Sequence, residues 1–347
     1  MYKRQPLIED FDSILAIDRI VGAYINAVKP PVLRVFIARS DPALNYGLFC
    51  AVLLSKLALS RLKSLEKERK VTIYPILGVG SIPFRGHLSP DNIEGFISEY
   101  PGLSTVTIQS ALKYDYPLEQ TREVVSLLNN RLPSSEPILI EPHEEKILLT
   151  ILNKFRRRYE SIVEELAPLV NSIASYIPQR RARKLHIGLF GYSRNVRGAA
   201  LPRAIPFAAA LYSLGIPPEF IGGKVLDDLI GEEWDILEKY YTNKKNDLST
   251  AGNYLSWQNI NMLMDLYQKV AERAGMSEEK LKDALAKLLD DLSAVEEGLG
   301  IKFGPRSMTQ RKHENLSNNF LISYIEQEDS EARTFCLEIG RLRRCIG

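Results

Sequence analysis

The sequence predicts an α/β fold: a TIM-like (β/α) barrel that is rich in helix, with an all-helical C-terminal extension. Three observations predict it. Apolar runs typical of strands alternate with helical segments over the first two thirds of the chain, these runs end in charged or polar residues, and the last third has helical patterning throughout. Strands that alternate with helices pair in parallel, and parallel α/β folds place functional groups at the carboxyl ends of their strands.

Five runs have the composition of buried strands, and they cover residues 6–10, 32–41, 71–81, 103–113 and 184–195. Packing alone does not require an ionised group where a buried strand ends, and burying one costs several kcal/mol unless it is paired or bound. We therefore expect one edge of the sheet to form a site that is rich in arginine. A barrel has eight strands, so the barrel interpretation makes this chain a C-terminal portion of one, incomplete at its N-terminal side.

Helical periodicity follows the predicted strands. The expected helices cover residues 46–70, 118–131, 144–177 (one long helix or a broken pair) and 201–215, the last closed by Gly215. In the C-terminal part, a helix is expected to begin after Ser277 and to stop at Gly298. Its apolar stripe is expected to lie in the core and consists of Leu281, Ala284, Leu285, Leu288, Leu292 and Val295.

These patterns predict two domains. Residues 1–224 form the barrel part with the loops of the site, and residues 225–347 form a helical extension packed on the barrel, with the C-terminal tail near the site. We find no internal repeat and no low-complexity segment.

The composition argues against several classes of protein. The chain has 45 basic and 43 acidic side chains, so its formal charge of +2 gives no field that attracts nucleic acid or a membrane surface. The odd, widely spaced cysteines Cys50, Cys336 and Cys345 form neither a disulfide framework nor a metal-knuckle spacing, which indicates a reducing, cytoplasmic compartment. No apolar run approaches the roughly 18 residues that span a bilayer, and no signal-peptide pattern is found.

Glu9 and Asp41 are the best candidates for metal ligands. They end two different predicted strands, and two carboxylates completed by water and substrate oxygens commonly bind Mg2+ or Mn2+. The four histidines share no zinc-ligand spacing. An aspartate before proline is also a common N-cap or turn residue, so the structural interpretation of Asp41 stays open.

The segment 78–92 follows a predicted strand and is typical of an anion-binding loop. Gly80 lets backbone amides approach an anion, Ser81 adds a hydroxyl, and Arg85 adds a guanidinium suited to phosphate or carboxylate. The glycine spacing matches neither the dinucleotide fingerprint nor the phosphate loop. Gln109 and Lys113, after the next strand, are candidates for a polar wall, although each alone is better explained as a structural hydrogen-bonding residue or a solvated lysine.

Further arginines lie near the other strand ends. Arg39 ends the second run, and Arg194, Arg197 and Arg203 lie within ten residues at a strand end and a helix start. A helix N-terminus with arginines attracts anions, whereas the alternative is ordinary surface arginine. Arg203 stands in an otherwise apolar segment, so we expect its side chain to point inward.

Several long segments, in the same order, resemble the phosphoenolpyruvate carboxylase family in its shorter archaeal-type form. The likeness runs from about residue 6 to about residue 222, and the ending RLRRCIG is similar to the family's terminal tail. Residues 225–340 share only the general helical character. The segments that carry the resemblance are PLIED, FIARSDPALNYG, ILGVGSIPFRGHLSPDN, TVTIQSALKYDY and KLHIGLFGYSRNVRGAALPRAIPFAAALYSLGIPPEFIG.

The resemblance implies roles for single residues. Glu9 and Asp41 match the family's two carboxylates for a divalent metal, Mg2+ or Mn2+. Arg85 is similar to the mobile-loop arginine near the bicarbonate-derived group. Arg194 and Arg203 resemble the arginines that hold phosphoenolpyruvate and its transferring phosphoryl group. The remaining substrate-binding candidates, of which the last two fall on the family's Q…KY pattern, are Gly80, Ser81, Gln109 and Lys113.

The resemblance also implies an activity, the carboxylation of phosphoenolpyruvate by bicarbonate to give oxaloacetate and phosphate, in a cytoplasmic homotetramer. Leu44 stands where larger bacterial and plant members carry lysine, and their extra arginine near Gly78 is absent. The family's catalytic histidine and another phosphate-binding arginine are expected N-terminal to the residues present. Two alternatives stay open: another Mg2+-dependent enolate-handling barrel, such as a 2-oxo acid lyase or aldolase, and a non-catalytic fragment that needs a separate N-terminal piece.

Overall fold

The computed structural model describes residues 5–177 and 195–344. The chain divides into two compact units. We call the first the sheet unit, which comprises Met1–Arg156 and Asp228–Asn246, and the second the helical unit, which comprises Arg157–Asp227 and Asp247–Gly347.

The sheet unit is built on a four-stranded parallel sheet whose strand order equals the chain order. Its strands are β1 Leu7–Ile8, β2 Val32–Ala38, β3 Thr72–Gly78 and β4 Thr105–Val106. These strands confirm four of the five predicted runs, and the fifth, 184–195, lies outside the described residues except for Asn195. Within the helical unit, β5 Asn195–Val196 and β6 Ala199–Ala200 form an antiparallel hairpin.

Helices make up most of the described chain. In chain order they are α1 Phe11–Leu15, α2 Ile17–Val28, α3 Ser40–Arg69, α4 Ile93–Glu99, α5 Ser110–Tyr114, α6 Leu118–Arg131, α7 Pro142–Ala174, α8 Ala204–Ser213, α9 Glu232–Tyr240, α10 Lys244–Gly252, α11 Trp257–Asp265, α12 Tyr267–Ala274, α13 Glu278–Leu299, α14 Met308–Ile325 and α15 Asp329–Arg343. The prediction for α6 is confirmed at both ends, and 144–177 is one long helix rather than a broken pair.

Helix α3 begins six residues before its predicted start, and its first turn follows β2 directly. Gly47 interrupts it with φ 87° and ψ 169°, a conformation that only glycine adopts readily. The helix packs against β2 and β3, where it covers the buried side chains of Leu33, Val35 and Ile37. This face of the sheet and α3 together form the core of the sheet unit.

By length and composition α3 also resembles a membrane span, contrary to the expectation that no apolar run is long enough. Its most apolar window has a mean hydropathy of 1.5, and 94% of that window is buried inside the structure. The core helix of a folded domain has the same properties, so this feature is weak evidence for a membrane.

The other face of the sheet is partly exposed although it carries apolar side chains. Leu7, Val32 and Tyr74 are 46%, 50% and 42% exposed, and the register places all three on one side, because alternate residues of a strand point to opposite faces. Parallel sheets are normally covered on both faces.

In the helical unit, α13 follows the predicted pattern except at its end. All six residues of the predicted stripe are at most 2% exposed, which confirms that they lie in the core. The predicted stop at Gly298 is wrong, because the helix continues to Leu299 and is capped by Gly300 in the left-handed conformation, with φ 59°. A single glycine inside a helix is tolerated when neighbouring residues favour the helix.

The first turn of α7 is fixed to α9 by the carboxylate of Glu144. This carboxylate accepts hydrogen bonds from Lys239 Nζ and, at 2.7 Å, from the hydroxyl of Tyr240. Burial acts to raise the pKa of Glu144, but these hydrogen bonds outweigh it and lower the pKa from 4.5 to about 2. The carboxylate is therefore bound more tightly in its charged form, and the contact contributes to stability.

This contribution has a defined pH dependence. Because the pKa of Glu144 is lowered on folding, its contribution is fully present above about pH 4.5 and is lost as the pH falls toward 2. We expect Glu144→Gln to reduce the free energy of unfolding by about 2–3 kcal/mol at pH 7 and by much less near pH 2.5. Urea unfolding of both proteins from pH 2.5 to pH 7 measures this difference, with the exposed Glu141→Gln as control. A pH-independent difference would contradict the assignment.

Candidate active site at the carboxyl edge of the sheet

The carboxyl edge of the parallel sheet brings four sequence-predicted residues to neighbouring strand ends. Glu9 follows β1 directly, and Asp41 lies in the first turn of α3, after β2. Arg85 lies in the loop after β3, and Gln109 is the N-cap of α5, after β4. Because these strands are parallel and adjacent in the order β1-β2-β3-β4, their ends meet at the same edge.

Glu9 and Asp41 follow two adjacent strands, β1 and β2, and both are half-buried. The neighbouring acid Asp10 has a different role, since it is exposed and its carboxylate caps α1 by accepting the backbone N–H of Ser13 at 2.9 Å. Asp41 lies at a helix N-terminus, which stabilises its negative charge. Directly before it, the hydroxyl of Ser40 is buried and has no hydrogen-bond partner among the described residues.

These residues are compatible with a hard divalent cation. Among the described residues, no group of three or more His, Cys, Asp or Glu side chains forms a complete metal site. Mg2+ usually takes only one or two carboxylates from the protein and completes its shell with water and substrate oxygens. Two acids on adjacent strand ends, with an unpartnered hydroxyl beside one of them, therefore suit such a cation.

The loop after β3 is compact and holds itself together through backbone hydrogen bonds. The N–H of Gly80 donates to the carbonyl of Arg85 at 2.8 Å, and the N–H of Leu88 donates to the carbonyl of Gly80 at 2.9 Å. Between them, Pro83–Arg85 forms a short 3-10 turn. The main chain therefore fixes the position from which the Arg85 side chain extends.

The side chain of Arg85 is only 5% exposed and reaches the neighbouring strand end. Its Nη2 donates to Oε1 of Gln109, so the structure brings these two candidates into contact. A β-carbon at Gly80 would lie 2.9 Å from Arg85 Cζ, which means that glycine leaves the space that the guanidinium occupies. Beside them, Ser81 is 7% exposed, and its hydroxyl has no hydrogen-bond partner within the described part of the chain.

Arg39 does not join the other candidates at this edge. It is fully buried, and its Nε donates to the hydroxyl of Tyr100 at 3.0 Å. Its two terminal nitrogens donate to the carbonyls of Phe84 at 3.0 Å and Pro83 at 3.5 Å. Its charge and its position after β2 can be read from the sequence, whereas the inward direction of its side chain cannot.

Lys113 also lies apart from this contact. It is exposed on α5, and its Nζ lies 5.1 Å from the ring centroid of Tyr114. The structure thus brings Gln109, but not Lys113, against Arg85.

Of the arginines predicted near the last strand end, the structure describes Arg197 and Arg203. Arg203 is the N-cap residue of α8 and is exposed, so the expectation that it points inward is wrong. The N-cap position explains this, because the residue stands before the first helical turn rather than on the buried face of the helix. Arg194 lies outside the described residues.

Arg197 has carboxylate partners. It lies in the turn between β5 and β6 with φ 47°, and its guanidinium is 3.5 Å from Glu160 and 3.7 Å from Glu164. Two acids near one arginine favour a structural role over an anion site.

Comparison with known proteins extends over almost the whole chain. A sequence model of the phosphoenolpyruvate carboxylase family matches residues 4–347. The chain is 44% identical over 342 residues to the phosphoenolpyruvate carboxylase of Caldivirga maquilingensis and 43% identical to that of Metallosphaera sedula. The enzyme of Picrophilus torridus is 40% identical over the same length.

Each of these alignments covers 99% of this chain. They cover 65% of the first two relatives and 64% of the third, so the chain spans less than two thirds of their length. The matched region includes every site residue discussed above, from Glu9 to Arg203. This chain belongs to the phosphoenolpyruvate carboxylase family.

Proposed function

We propose that the chain takes part in the carboxylation of phosphoenolpyruvate by bicarbonate, which gives oxaloacetate and inorganic phosphate. One observation carries the proposal: the buried guanidinium of Arg85, in contact with Gln109, lies in a loop at the sheet edge where Glu9 and Asp41 also lie. The relatives at 40–44% identity are named phosphoenolpyruvate carboxylase.

In this proposal, bicarbonate attacks the phosphoryl group, so that a new O–P bond forms and the bond from phosphorus to the enol oxygen breaks. Negative charge builds up on the phosphoryl and enolate oxygens, and fixed cationic donors stabilise it. Arg85 is placed near the bicarbonate-derived group. Arg194 and Arg203, on the family resemblance alone, hold phosphoenolpyruvate and the transferring phosphoryl group.

Carboxyphosphate then releases carbon dioxide, which the enolate attacks to form oxaloacetate. Water has to be excluded at this stage, because a proton would quench the enolate to pyruvate. The compact loop that carries Gly80, Ser81 and Arg85 is suited to this role, since its residues are almost entirely buried. Gln109 orients Arg85, and Lys113 supplies a positive charge on the adjacent helix.

Glu9 and Asp41 are the proposed ligands of Mg2+ or Mn2+, which when bound would neutralise charge on the enolate and phosphoryl oxygens. The half-buried carboxylates on adjacent strand ends and the unpartnered Ser40 hydroxyl support this assignment.

We further propose that the four strands belong to a TIM-like (β/α) barrel. Parallel strands whose order follows the chain without reversal place their connecting helices on one face, as a barrel requires. The apolar side chains on the opposite face would then form the barrel interior. The division of the chain at residues 224 and 225, the tetramer, the cytoplasmic location and the absence of nucleic-acid and membrane partners stay predictions.

The direct test is to incubate the purified chain with phosphoenolpyruvate, bicarbonate and Mg2+. We expect phosphate and oxaloacetate to appear in equal amounts, and omission of bicarbonate or addition of a chelator to abolish both. Oxaloacetate without phosphate would instead indicate a lyase or aldolase. Absence of both products would mean that this chain alone does not carry the activity.

Asp41→Asn tests the metal assignment. The substitution keeps the shape of the side chain and removes its charge, so we expect about a hundredfold loss of kcat/KM, or about 3 kcal/mol of transition-state stabilisation. Circular dichroism should be unchanged. Asp10→Asn is the matched control, because Asp10 is an exposed cap and asparagine also caps helices well. Equal turnover in the wild-type and Asp41→Asn proteins would remove Asp41 from the site.

Gly80→Ala tests the placement of Arg85. The new methyl group would lie 2.9 Å from Cζ of Arg85, so the guanidinium that contacts Gln109 must shift. We expect about tenfold lower turnover with little change in melting temperature. Gly22→Ala in α2 is the control, since its β-carbon would meet only ordinary contacts at 3.7 Å or more. A Gly80→Ala protein as active as this control would contradict the placement.

A further inference from the structure

Arg39 is a fully buried cation whose hydrogen bonds all go to neutral oxygen atoms. Arginine is rarely buried without an acidic partner, yet no ion pair of Arg39 is found among the described residues. Its acceptors are the Tyr100 hydroxyl and the carbonyls of Pro83 and Phe84. The guanidinium reaches these acceptors because its N–H groups point in several fixed directions, so its geometry matters as well as its charge.

Two of these acceptors belong to the turn that carries Arg85. Pro83 and Phe84 are the two residues before Arg85 in the same 3-10 turn, so Arg39 binds the main chain directly before the functional side chain. Arg39 also lies close to the residue that follows Arg85, because a β-carbon at Gly86 would lie 3.4 Å from Arg39 Cγ. Arg39 therefore supports the turn from within the core.

The other end of the Arg39 guanidinium is held by Tyr100, in a buried part of the sheet unit. Tyr100 is only 2% exposed and directly follows α4, and the Nζ of Lys56 lies 5.4 Å from its ring centroid. Lys56 forms a buried ion pair with Glu99 at 2.7 Å. Glu99 in turn accepts the backbone N–H of Asn243 at 2.7 Å. The hydroxyl of Tyr100 is thus a fixed point to which Arg39 ties the turn.

We propose that Arg39 is a positioning residue for Arg85. Its planar guanidinium joins the Tyr100 hydroxyl to the carbonyls of the two residues before Arg85. These bonds fix the turn in the orientation that presents the Arg85 guanidinium to Gln109 and to a substrate anion. The link to a substrate anion rests on the proposed function, whereas the link to the orientation of Arg85 does not. Lysine cannot replace this geometry, because its single nitrogen does not reach acceptors on both sides.

The first experiment measures Arg85 itself and needs no activity. Phenylglyoxal modifies accessible arginines, and peptide mass spectrometry gives the rate at Arg85. We expect Arg39→Lys to raise this rate at least about tenfold, since a displaced turn exposes a side chain that is now 5% accessible. Tyr100→Phe, which removes only the hydroxyl that accepts from Nε, should give a smaller increase. The control Tyr74→Phe changes an exposed tyrosine of β3 and should have no effect.

An unchanged Arg85 rate in folded Arg39→Lys would overturn the proposal. If Arg39→Lys does not fold, Tyr100→Phe decides, because it leaves the buried charge and the carbonyl contacts in place. A rate equal to that of the Tyr74→Phe control would then count against the positioning role.

The second experiment is a double-mutant cycle on turnover. If Arg39 acts through Arg85, we expect Arg39→Lys to lower kcat about tenfold and to leave the KM for phosphoenolpyruvate unchanged. In a protein that already carries Arg85→Lys, the same substitution should lower kcat by less than about twofold further. If the double variant loses kcat by the product of the two single losses, Arg39 does not act through Arg85. A wild-type chain without turnover, combined with faster Arg85 modification in Arg39→Lys, would mean that this chain alone does not carry the proposed activity and would leave the positioning role supported.

Discussion

The parallel pairing of β2 with β3 is the constraint on which the candidate site depends. Seven consecutive residue pairs, from Val32 with Thr72 to Ala38 with Gly78, set the two strand ends level with each other. Shifting a strand by one residue would turn its side chains to the opposite face. The level ends place Asp41 and the Arg85 loop at one edge, and the shorter pairings with β1 and β4 add Glu9 and Gln109.

Buried charged side chains of the sheet unit support this edge, although burying a charge costs free energy. Removing an ion from water costs several kcal/mol even after the surroundings relax, and a buried pair recovers this only with good geometry. The sheet unit nevertheless buries Arg39, which contacts the Arg85 turn, and the pair Lys56–Glu99, which lies beside Tyr100. Departures from an apolar core are expected where a site has to be held rigidly.

Much of the fold, but less of the site, was accessible from the sequence. Four strands and helix α6 were found because apolar runs and helical periodicity are local signals. The start of α3 was missed because the break at Gly47 interrupts the periodicity. The meeting of Arg85 with Gln109 follows from strand ends at one edge, whereas the directions of Arg39 and Arg203 do not, since side-chain direction depends on packing between distant segments. For the same reason no sequence pattern marked the buried hydroxyl of Ser40.

The break at Gly47 divides α3 into a short leading segment and a long core helix. The residues after the break, from Leu48 to Ser60, are packed in the core, and the leading segment carries the half-buried Asp41 together with the buried Ala43 and Leu44. Because Gly47 departs from helical dihedral angles, the leading segment does not have to continue the axis of the core helix. A shift of this segment would move Asp41 and the two buried side chains together, so the packing that stabilises the sheet unit also fixes where the acid points.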